Sequence, residues 1–248
     1  LEKHKGHEKL LSKEQFSWGT DGKDEKGNLL CHTLYDEHND PIFSKEYDYD
    51  NHGNVIKEKY WGVFTQKGGK LKVDKDGIPK HDSSCDHFVI RRKYSKNKFN
   101  LKLKEVDPTG LKTLYRYKSG TNLLEAKFIK TKNHIHHREF FEYDENAVLI
   151  EHISDDGSST KQQDLTDVKI RSIKCITPRK KTPHFGDPEV IEEFFYDFDL
   201  KHNVLVLRTE NTFSNKGLVV EKRIYDSEKQ LQSQLSFQYD DNDRLIYT

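Results

Sequence analysis

Aromatic, polar and aliphatic positions alternate in a fixed order along this chain. In the segment Tyr47–Ile56, two aromatic residues stand two positions apart, Asp50 follows, polar or small residues come next, and Val55 and Ile56 close the pattern. Residues two apart project from the same face of a strand, and Asp, Asn and Gly favour tight turns. The pattern therefore predicts a β-hairpin: strand, polar turn, strand.

The same ten-residue pattern returns four more times without gaps, at 115–124, 141–150, 196–205 and 237–246. Lys118 replaces Asp in one copy and Phe198 replaces Tyr in another, so the recurring feature is the aromatic pair, the polar turn and the aliphatic pair. The predicted structural motif residues are Tyr35, Asp36, Tyr47, Tyr49, Asp50, Gly53, Tyr115, Tyr117, Phe141, Tyr143, Asp144, Tyr196, Phe198, Asp199, Tyr225, Asp226, Phe237, Tyr239 and Asp240.

A longer internal match supports the repeat. Residues 27–56 align with residues 217–246 without a gap, and each stretch contains two Tyr-Asp pairs at the same separation. Internal periodicity of this kind is typical of repeat architectures. Further hairpins are predicted around the turns at 21–28, 107–110 and 213–217, and a strand over 168–176, whereas no segment predicts a long helix.

The predicted fold class is all-β, with antiparallel hairpins stacked side by side into a curved, extended sheet. Two stretches interrupt the rhythm. Residues 66–86 are rich in Gly, Lys and Asp and predict an exposed excursion, and residues 177–188 contain three prolines and predict a long surface loop. Because hairpins continue on both sides of each stretch, residues 1–248 are predicted to form a single repeat region.

Composition narrows the function classes. Hydrophobic residues make up 33% of the 248 residues and charged residues 34%, but aromatic residues reach 11%, which favours a thin folded sheet over disorder. Lys+Arg and Asp+Glu are both 42, so no net field attracts nucleic acid or an anionic membrane, and no apolar run is long enough for a membrane span. The first residue is Leu1 and Met is absent, so we expect a fragment of a larger protein.

At this point the residues resemble the RHS/YD-repeat family. The segment Tyr49–Ile56, with Gly53 in the turn and Gly62 beyond it, matches the family's loose Tyr-Asp signature, and Ala147 stands where another copy would have the turn glycine. The resemblance implies hairpins that wind into a hollow shell. Bacterial members of the family enclose a toxic domain, and animal relatives act in adhesion. It also implies a secreted or cell-surface bacterial protein.

Candidate chemistry is sparse. His134 and His136 would share a strand face and could bind a metal, but no carboxylate or cysteine partner has a recognisable spacing, which favours a solvated strand face. Cys31, Cys85 and Cys175 lack the close spacing of a zinc or redox motif. The basic runs 91–93 and 179–181 are expected to be solvated. We therefore expect no catalytic, cofactor-binding or metal-binding residues, no cofactor and no enzymatic activity.

Two functions remain open. In the first, the chain is a structural shell segment whose partners are further repeats and a cargo domain, possibly a toxin, of the parent chain. In the second, it is a module that binds a protein or a glycan through its sheet or its long loops. A β-propeller is a weaker alternative, because the five copies are spaced too unevenly for regular blades.

Overall fold

The computed structural model describes residues 12–19, 27–63, 65, 70–80 and 86–247. These residues form β-strands, turns and loops, and the described part of the chain contains no helix. Contacts divide the chain into two compact units, Leu1–Lys112 and Thr113–Thr248. The expected all-β fold of antiparallel hairpins stacked side by side is confirmed. The single repeat region stays a prediction.

In the first unit, strands that follow each other in the chain are also neighbours in the sheet. Every pairing between them is antiparallel. Such an order needs only local connections, which the polar turns supply. The strands are β1 (Lys13–Trp18), β2 (Leu29–Tyr35), β3 (Pro41–Tyr49), β4 (Val55–Gly62), β5 (His87–Tyr94) and β6 (Lys102–Val106).

The second unit repeats this arrangement with more strands. Its sheet contains β7 to β15 in chain order, and a separate two-stranded sheet follows. The strands are β7 (Lys112–Tyr117), β8 (Leu124–Thr131), β9 (His134–Tyr143), β10 (Leu149–Asp155), β11 (Arg171–Pro178), β12 (Pro188–Asp197), β13 (His202–Phe213), β14 (Val219–Tyr225), β15 (Leu231–Ser236), β16 (Gln238–Tyr239) and β17 (Leu245–Tyr247).

The thirty-residue repeat seen in the sequence is reproduced in strand register. A shift of 190 residues carries β2 onto β14, and the β2–β3 pairing onto the β14–β15 pairing, including the irregularity at its end. Equal registers arise because the same turn geometry sets them. The matched pairs are Cys31–Glu46 with Glu221–Ser236, Leu34–Phe43 with Ile224–Ser233, Tyr35–Pro41 with Tyr225–Leu231, and Tyr49–Val55 with Tyr239–Leu245.

The apolar core of the second unit lies on one face of β8 to β11. Phe140 on β9 is opposite Ala126 on β8 and Ile153 on β10, and Ile153 is opposite Ile173 on β11. All four are buried, and Phe128 packs edge-on against Phe140 with ring centroids 5.9 Å apart. This cross-strand row is the packing that aromatic and β-branched residues favour in sheets.

The core of the first unit is smaller, and a folded-back segment contributes to it. Trp61 on β4 packs with Leu71, and both are buried. Leu71 belongs to the stretch 66–86, in which we expected an exposed excursion. Within that stretch, residues 70–80 form a turn with a Val73–Pro79 bridge. The backbone carbonyl of Gly77 accepts a 2.6 Å hydrogen bond from the buried Thr33 hydroxyl, so this turn is folded against β2.

The stretch 177–188 contains the ends of two strands and the loop between them. β11 extends to Pro178 and β12 begins at Pro188, opposite it. The loop 179–187 closes on itself through hydrogen bonds from Arg179 N to Asp187 O and from Gly186 N to Arg179 O, at 2.7 and 2.9 Å. The loop is therefore a closed structure at the end of a hairpin.

Candidate functional site

The repeated turn is built around one aspartate carboxylate. Asp50 Oδ1 accepts hydrogen bonds from the backbone N–H groups of His52 and Asn54, at 2.9 and 3.0 Å. The backbone N–H of Asp50 also donates to the carbonyl oxygen of Asn54, and the carbonyl oxygen of Asp50 accepts from the N–H of Gly53. Gly53 has a φ of 80°, which a glycine adopts without steric cost. The carboxylate therefore fixes the direction of the chain through the turn.

This geometry recurs in seven turns of the described chain, each with an Asp whose Oδ1 accepts from the second and fourth following N–H groups. Asp74 and Asp107 are not preceded by a tyrosine, so the aspartate recurs in more of these turns than the Tyr-Asp pair does. Ser214 closes a related turn through its hydroxyl, which accepts from Leu218 N at 3.2 Å. The seven residues are Asp36, Asp50, Asp74, Asp107, Asp144, Asp226 and Asp240.

The fourth position of these turns needs a positive φ and is not always glycine. Gly77 and Gly110 resemble Gly53 there, with φ of 79° and 88°. Ala147 adopts φ of 62° at the same position, which is a strained conformation for a residue with a Cβ. The other non-glycine residues at this position are Asn39, Lys229 and Asp243.

Two sequence copies depart from the regular turn. In the copy at 115–124, Lys118 replaces the Asp, the turn is one residue longer, and the Thr121 hydroxyl accepts from Leu123 N at 3.1 Å. In the copy at 196–205, the turn carboxylate is that of Asp197, which accepts from the N–H groups of Asp199 and Leu200. The alignment therefore placed the turn aspartate two residues too late, at Asp199, because it matched the Phe198-Asp199 pair and not Tyr196-Asp197.

The tyrosine before the turn makes a hydrogen bond to the preceding strand. Tyr49 donates its hydroxyl hydrogen bond to the carbonyl of Leu29 at the start of β2, at 2.6 Å. Tyr239 bonds Val219 O at the start of β14 in the same way, at 2.9 Å. Tyr143 bonds Leu124 O at the start of β8, at 3.0 Å. Each of these tyrosines therefore ties the end of one strand to the start of the preceding strand, at the open end of the hairpin that the two strands form.

The two members of each aromatic pair lie close together where ring contacts are formed, although Phe198 lies in the turn after β12. The ring centroids of Tyr47 and Tyr49 are 6.4 Å apart, and those of Tyr196 and Phe198 are 4.9 Å apart. Phe141 stacks on the His152 ring across the strand pair, at 4.7 Å. The remaining motif aromatics occupy related positions: Tyr35 bonds Gln15 Oε1 through its hydroxyl, Tyr115 and Tyr117 lie in β7, Tyr225 ends β14, and Phe237 N bonds Val220 O.

Hydrogen bonds in the turns of Asp36 and Asp240 stabilise the ionised form of these two carboxylates. The backbone hydrogen bond from Asp40 lowers the pKa of Asp36, with a smaller contribution from His38. The hydrogen bond from the backbone of Arg244, together with its side chain, lowers the pKa of Asp240. A carboxylate engaged in this way is a structural acceptor at neutral pH.

A buried ion pair organises the second unit. Arg138 on β9 and Asp155 at the end of β10 are opposite each other, both are buried, and two N–H groups of the guanidinium bond the two carboxylate oxygens. The guanidinium also donates to three backbone carbonyls of the loop 156–170. These are Ser159 O at 2.7 Å, Lys161 O at 2.9 Å and Asp164 O at 2.6 Å. This side chain therefore bonds the loop to the sheet at three points.

The same loop contains a glycine that the arginine requires. A Cβ at Gly157 would lie 2.5 Å from the guanidinium carbon of Arg138. Gly157 N also donates to Asp155 Oδ1 at 3.0 Å. A side chain at this position would displace the guanidinium from its hydrogen bonds, whereas glycine lets the backbone approach it closely.

A second charge cluster crosses β3 to β6 in the first unit. The buried Glu58 carboxylate bonds Lys45, Arg92 and Tyr60; the Arg92 and Tyr60 distances are both 2.8 Å. Burial raises the pKa of Glu58, but the hydrogen bonds from Lys45 and Arg92 outweigh it, so the net pKa is lowered. Arg92 also bonds Glu105 at 2.9 Å. A row of oppositely charged pairs thus links four neighbouring strands.

The two basic runs are therefore not simply solvated, as we expected from the sequence. Arg92 is held between two glutamates, and Arg179 is buried. Arg179 donates to the carbonyls of Lys181 and Pro183 and lies over the Phe213 ring, 4.9 Å from its centroid. Sequence reasoning missed these roles because the glutamates that hold Arg92 and the Phe213 ring lie on other strands, and because the folding of the loop 179–187 decides that Arg179 is buried.

The cysteines show no sign of activation. Cys31 is buried beside Ser44 and Thr33, and Cys175 is half-buried on β11; both are free thiols. Burial raises the pKa of both, which disfavours the thiolate. Cys85 lies outside the described residues. His134 and His136 lie together on β9, and within the described ranges no group of three or more His, Cys, Asp or Glu side chains is arranged to hold a metal ion.

Comparisons with known proteins add structural neighbours of low similarity. No protein-family model matches the chain, and no curated protein matches it in sequence. A Photorhabdus luminescens Tc holotoxin pore with a TccC3 mutation aligns over 94% of this chain and 13% of its own, with 10% identity and a TM-score of 0.36. The TcdB2-TccC3-TEV crystal structure aligns over 94% and 18%, with 9% identity and a TM-score of 0.19.

A third neighbour is a porin-like protein from Bacteroides uniformis. It aligns over 90% of this chain and 94% of its own, with 8% identity and a TM-score of 0.32. The chain spans less than a fifth of the length of the Tc toxin chains that it matches. In the described part of this chain, no helix is long and apolar enough to cross a membrane.

Proposed function

We propose that this chain is a structural segment of a larger hairpin-repeat shell that encloses or presents another domain of its parent protein. The observation behind the proposal is the repetition of one turn and one register along the chain. The Asp turn recurs seven times in the described chain, and the 27–56 and 217–246 repeats share their strand pairing. A unit that bonds mainly to its chain neighbours can be added many times, as in repeat proteins.

The polar side chains of this chain make structural contacts, as a shell segment requires. Carboxylates that could serve in catalysis are occupied in turn closure or ion pairs, as for Asp50 and Glu58. The buried polar residues Arg138 and Arg179 secure loops on the sheet. The proposal therefore assigns no catalytic step to this chain. Secretion or surface exposure follows only from the resemblance to the RHS/YD-repeat family and is part of the proposal.

The test is protease protection in the full parent protein. If the hairpins form a wall around a cargo domain, that domain resists trypsin in the intact parent protein and is cleaved in a variant lacking residues 113–248. The isolated cargo domain, cleaved at the same rate as in the deletion variant, is the control. Equal cleavage of cargo in the intact and deleted proteins would refute enclosure, as would a parent sequence without further hairpin repeats or a second domain.

A second candidate function, recognition of a protein or glycan, is favoured by the loop 179–187. This loop packs closely against neighbouring turns. Its His184 ring lies so near Gly217 that a Cβ there would be 2.5 Å from the ring, and its Gly186 lies so near Val148 that a Cβ would be 3.2 Å from that side chain. Phe185 remains 45% exposed on this fixed loop. A rigid, exposed aromatic is a common contact residue at binding surfaces. If the chain binds on a glycan array and Phe185→Ser abolishes that binding, recognition replaces enclosure as the better reading.

A further inference from the structure

Two exposed histidines lie side by side at the beginning of β9. His134 and His136 are separated by one residue, and their ring centroids are 4.7 Å apart with the planes at 75°. Alternate residues of a strand share a face, which explains why the two rings are in contact. Two imidazoles at this separation can present one nitrogen each to a common point.

One of the two rings already has its second nitrogen engaged. The Nε2 atom of His136 lies 2.7 Å from the Thr131 hydroxyl oxygen on β8. Histidine ligands of metals usually donate their other N–H to such an oxygen, which fixes the tautomer and the ring orientation. If Nε2 donates to Thr131, Nδ1 of His136 is the nitrogen that remains to accept a metal ion.

The loop 156–170 forms the other wall of the cleft in which these histidines lie. Asp156 and Asp167 line this cleft together with the two rings. Asp156 Oδ1 accepts from the N–H groups of Lys169 and Ile170, at 2.8 and 3.1 Å, and Asp167 Oδ2 lies 3.2 Å from the Ser158 hydroxyl. Because Arg138 fixes this loop on the sheet, the carboxylates are held at a constant place beside the rings.

We propose that His134 and His136 form a two-imidazole site for a divalent transition-metal ion of the Zn²⁺, Ni²⁺ or Cu²⁺ class. Imidazole nitrogens favour these ions over Mg²⁺ and Ca²⁺, which prefer oxygen ligands. Water would fill the remaining coordination positions, and Asp156 and Asp167 would accept hydrogen bonds from that water. The site does not depend on the shell function.

Isothermal titration with Zn²⁺ and with Ni²⁺ tests the site. We expect the His134→Gln/His136→Gln variant to lose one binding site relative to the wild-type chain. His137→Gln is the matched control, because His137 follows on the same strand but contacts Glu139 and Ser154, and it should retain that site. Thr131→Val should weaken binding by about tenfold, the usual effect of removing such a partner. Equal stoichiometry and affinity in the double variant and the wild type would overturn the proposal.

A spectroscopic measurement on the unmodified chain guards against misfolding of the double variant. Paramagnetic Ni²⁺ should broaden the imidazole ¹H–¹⁵N signals of His134 and His136 at substoichiometric concentration, while the signal of His152, which stacks on Phe141, stays sharp. The single variants His134→Gln and His136→Gln assign the two signals. Broadening confined to other histidines would refute the site even if the double variant fails to fold.

Discussion

Tyr143 donates its hydroxyl hydrogen bond to the carbonyl oxygen of Leu124, 19 residues earlier in the chain and 3.0 Å away. Tyr49 and Tyr239 make the same bond to Leu29 and Val219. In these three Tyr-Asp pairs the tyrosine thus closes the open end of the hairpin that precedes it, while the aspartate closes the following turn. A phenylalanine at these positions would keep the aromatic packing and lose only the connection.

The first prediction concerns this tyrosine bond. Tyr143→Phe should lower the free energy of unfolding by about 1 kcal/mol, because one partly buried hydrogen bond is lost and the ring is retained. Urea denaturation of the purified chain measures the change. Tyr49→Phe in the first unit serves as an independent replicate and should have the same sign. No change in either variant would mean that the hydroxyl bonds contribute nothing to hairpin stacking.

The second prediction concerns the turn carboxylate. Asp144→Ala removes the acceptor of two backbone N–H groups, those of Asn146 and Val148, and should destabilise the fold by about 1–2 kcal/mol. Asp144→Asn keeps an acceptor oxygen and should lose much less. Glu145→Ala in the same turn is the control for a general loss of negative charge. If Asp144→Ala and Glu145→Ala unfold at the same urea concentration, the carboxylate does not close the turn.

The third prediction is a stabilising substitution. Ala147 has a φ of 62°, in the left-handed region where the Cβ is unfavourable, so Ala147→Gly should raise the free energy of unfolding by about 1 kcal/mol. Thermal unfolding should show a higher midpoint for this variant. Ala126→Gly is the opposite control, because Ala126 is a buried strand residue and its replacement should destabilise. A lower midpoint for Ala147→Gly would contradict the strained turn.

The fourth prediction concerns the buried arginine. Arg138→Met leaves the Asp155 carboxylate and three loop carbonyls without their donor, and breaking such a buried pair costs about 3–5 kcal/mol. Trypsin cleavage after Lys161 and Lys169 should accelerate as the loop opens. Gly157→Ala should have a similar local effect through its clash with the guanidinium. Arg244→Met, at an exposed arginine of the same unit that pairs with Asp240, should leave the cleavage rate unchanged.

The fifth prediction is a dependence of stability on pH. Hydrogen bonds from Lys45 and Arg92 outweigh the opposing effect of burial and lower the pKa of Glu58 in the folded chain. A carboxyl whose pKa is depressed by folding contributes stability above its unfolded pKa, near 4.5, and loses it as the pH falls through the lower folded value. Urea midpoints between pH 6 and pH 3 should therefore fall less steeply in Glu58→Gln than in the wild type. Parallel curves would contradict the assignment.

Much of the hairpin architecture could be predicted from the sequence because it depends on short-range chemistry. An aspartate, a residue that accepts positive φ and a pair of alternating aromatics specify a turn within ten residues, as at Tyr47–Ile56. The register followed for the same reason, and the 27–56 and 217–246 repeats pair alike. The alignment failed at Asp199 because two adjacent aromatic–Asp pairs, at 196–197 and 198–199, offered equivalent matches, and only the backbone distinguishes them.

The chain of antiparallel hairpins follows from local sequence, because the residues that form each turn lie within a few positions of one another. Which polar residues are buried, and what they bond, depends on the tertiary fold. Arg138 bonds Asp155, which is 17 residues away in sequence, and loop carbonyls up to 26 residues away. Thr33 bonds Gly77, which is 44 residues away. Nothing in the local pattern of a charged or hydroxyl side chain distinguishes these positions from solvated ones. Their environment arises from loops that fold back onto the sheet, and that depends on contacts distant in sequence.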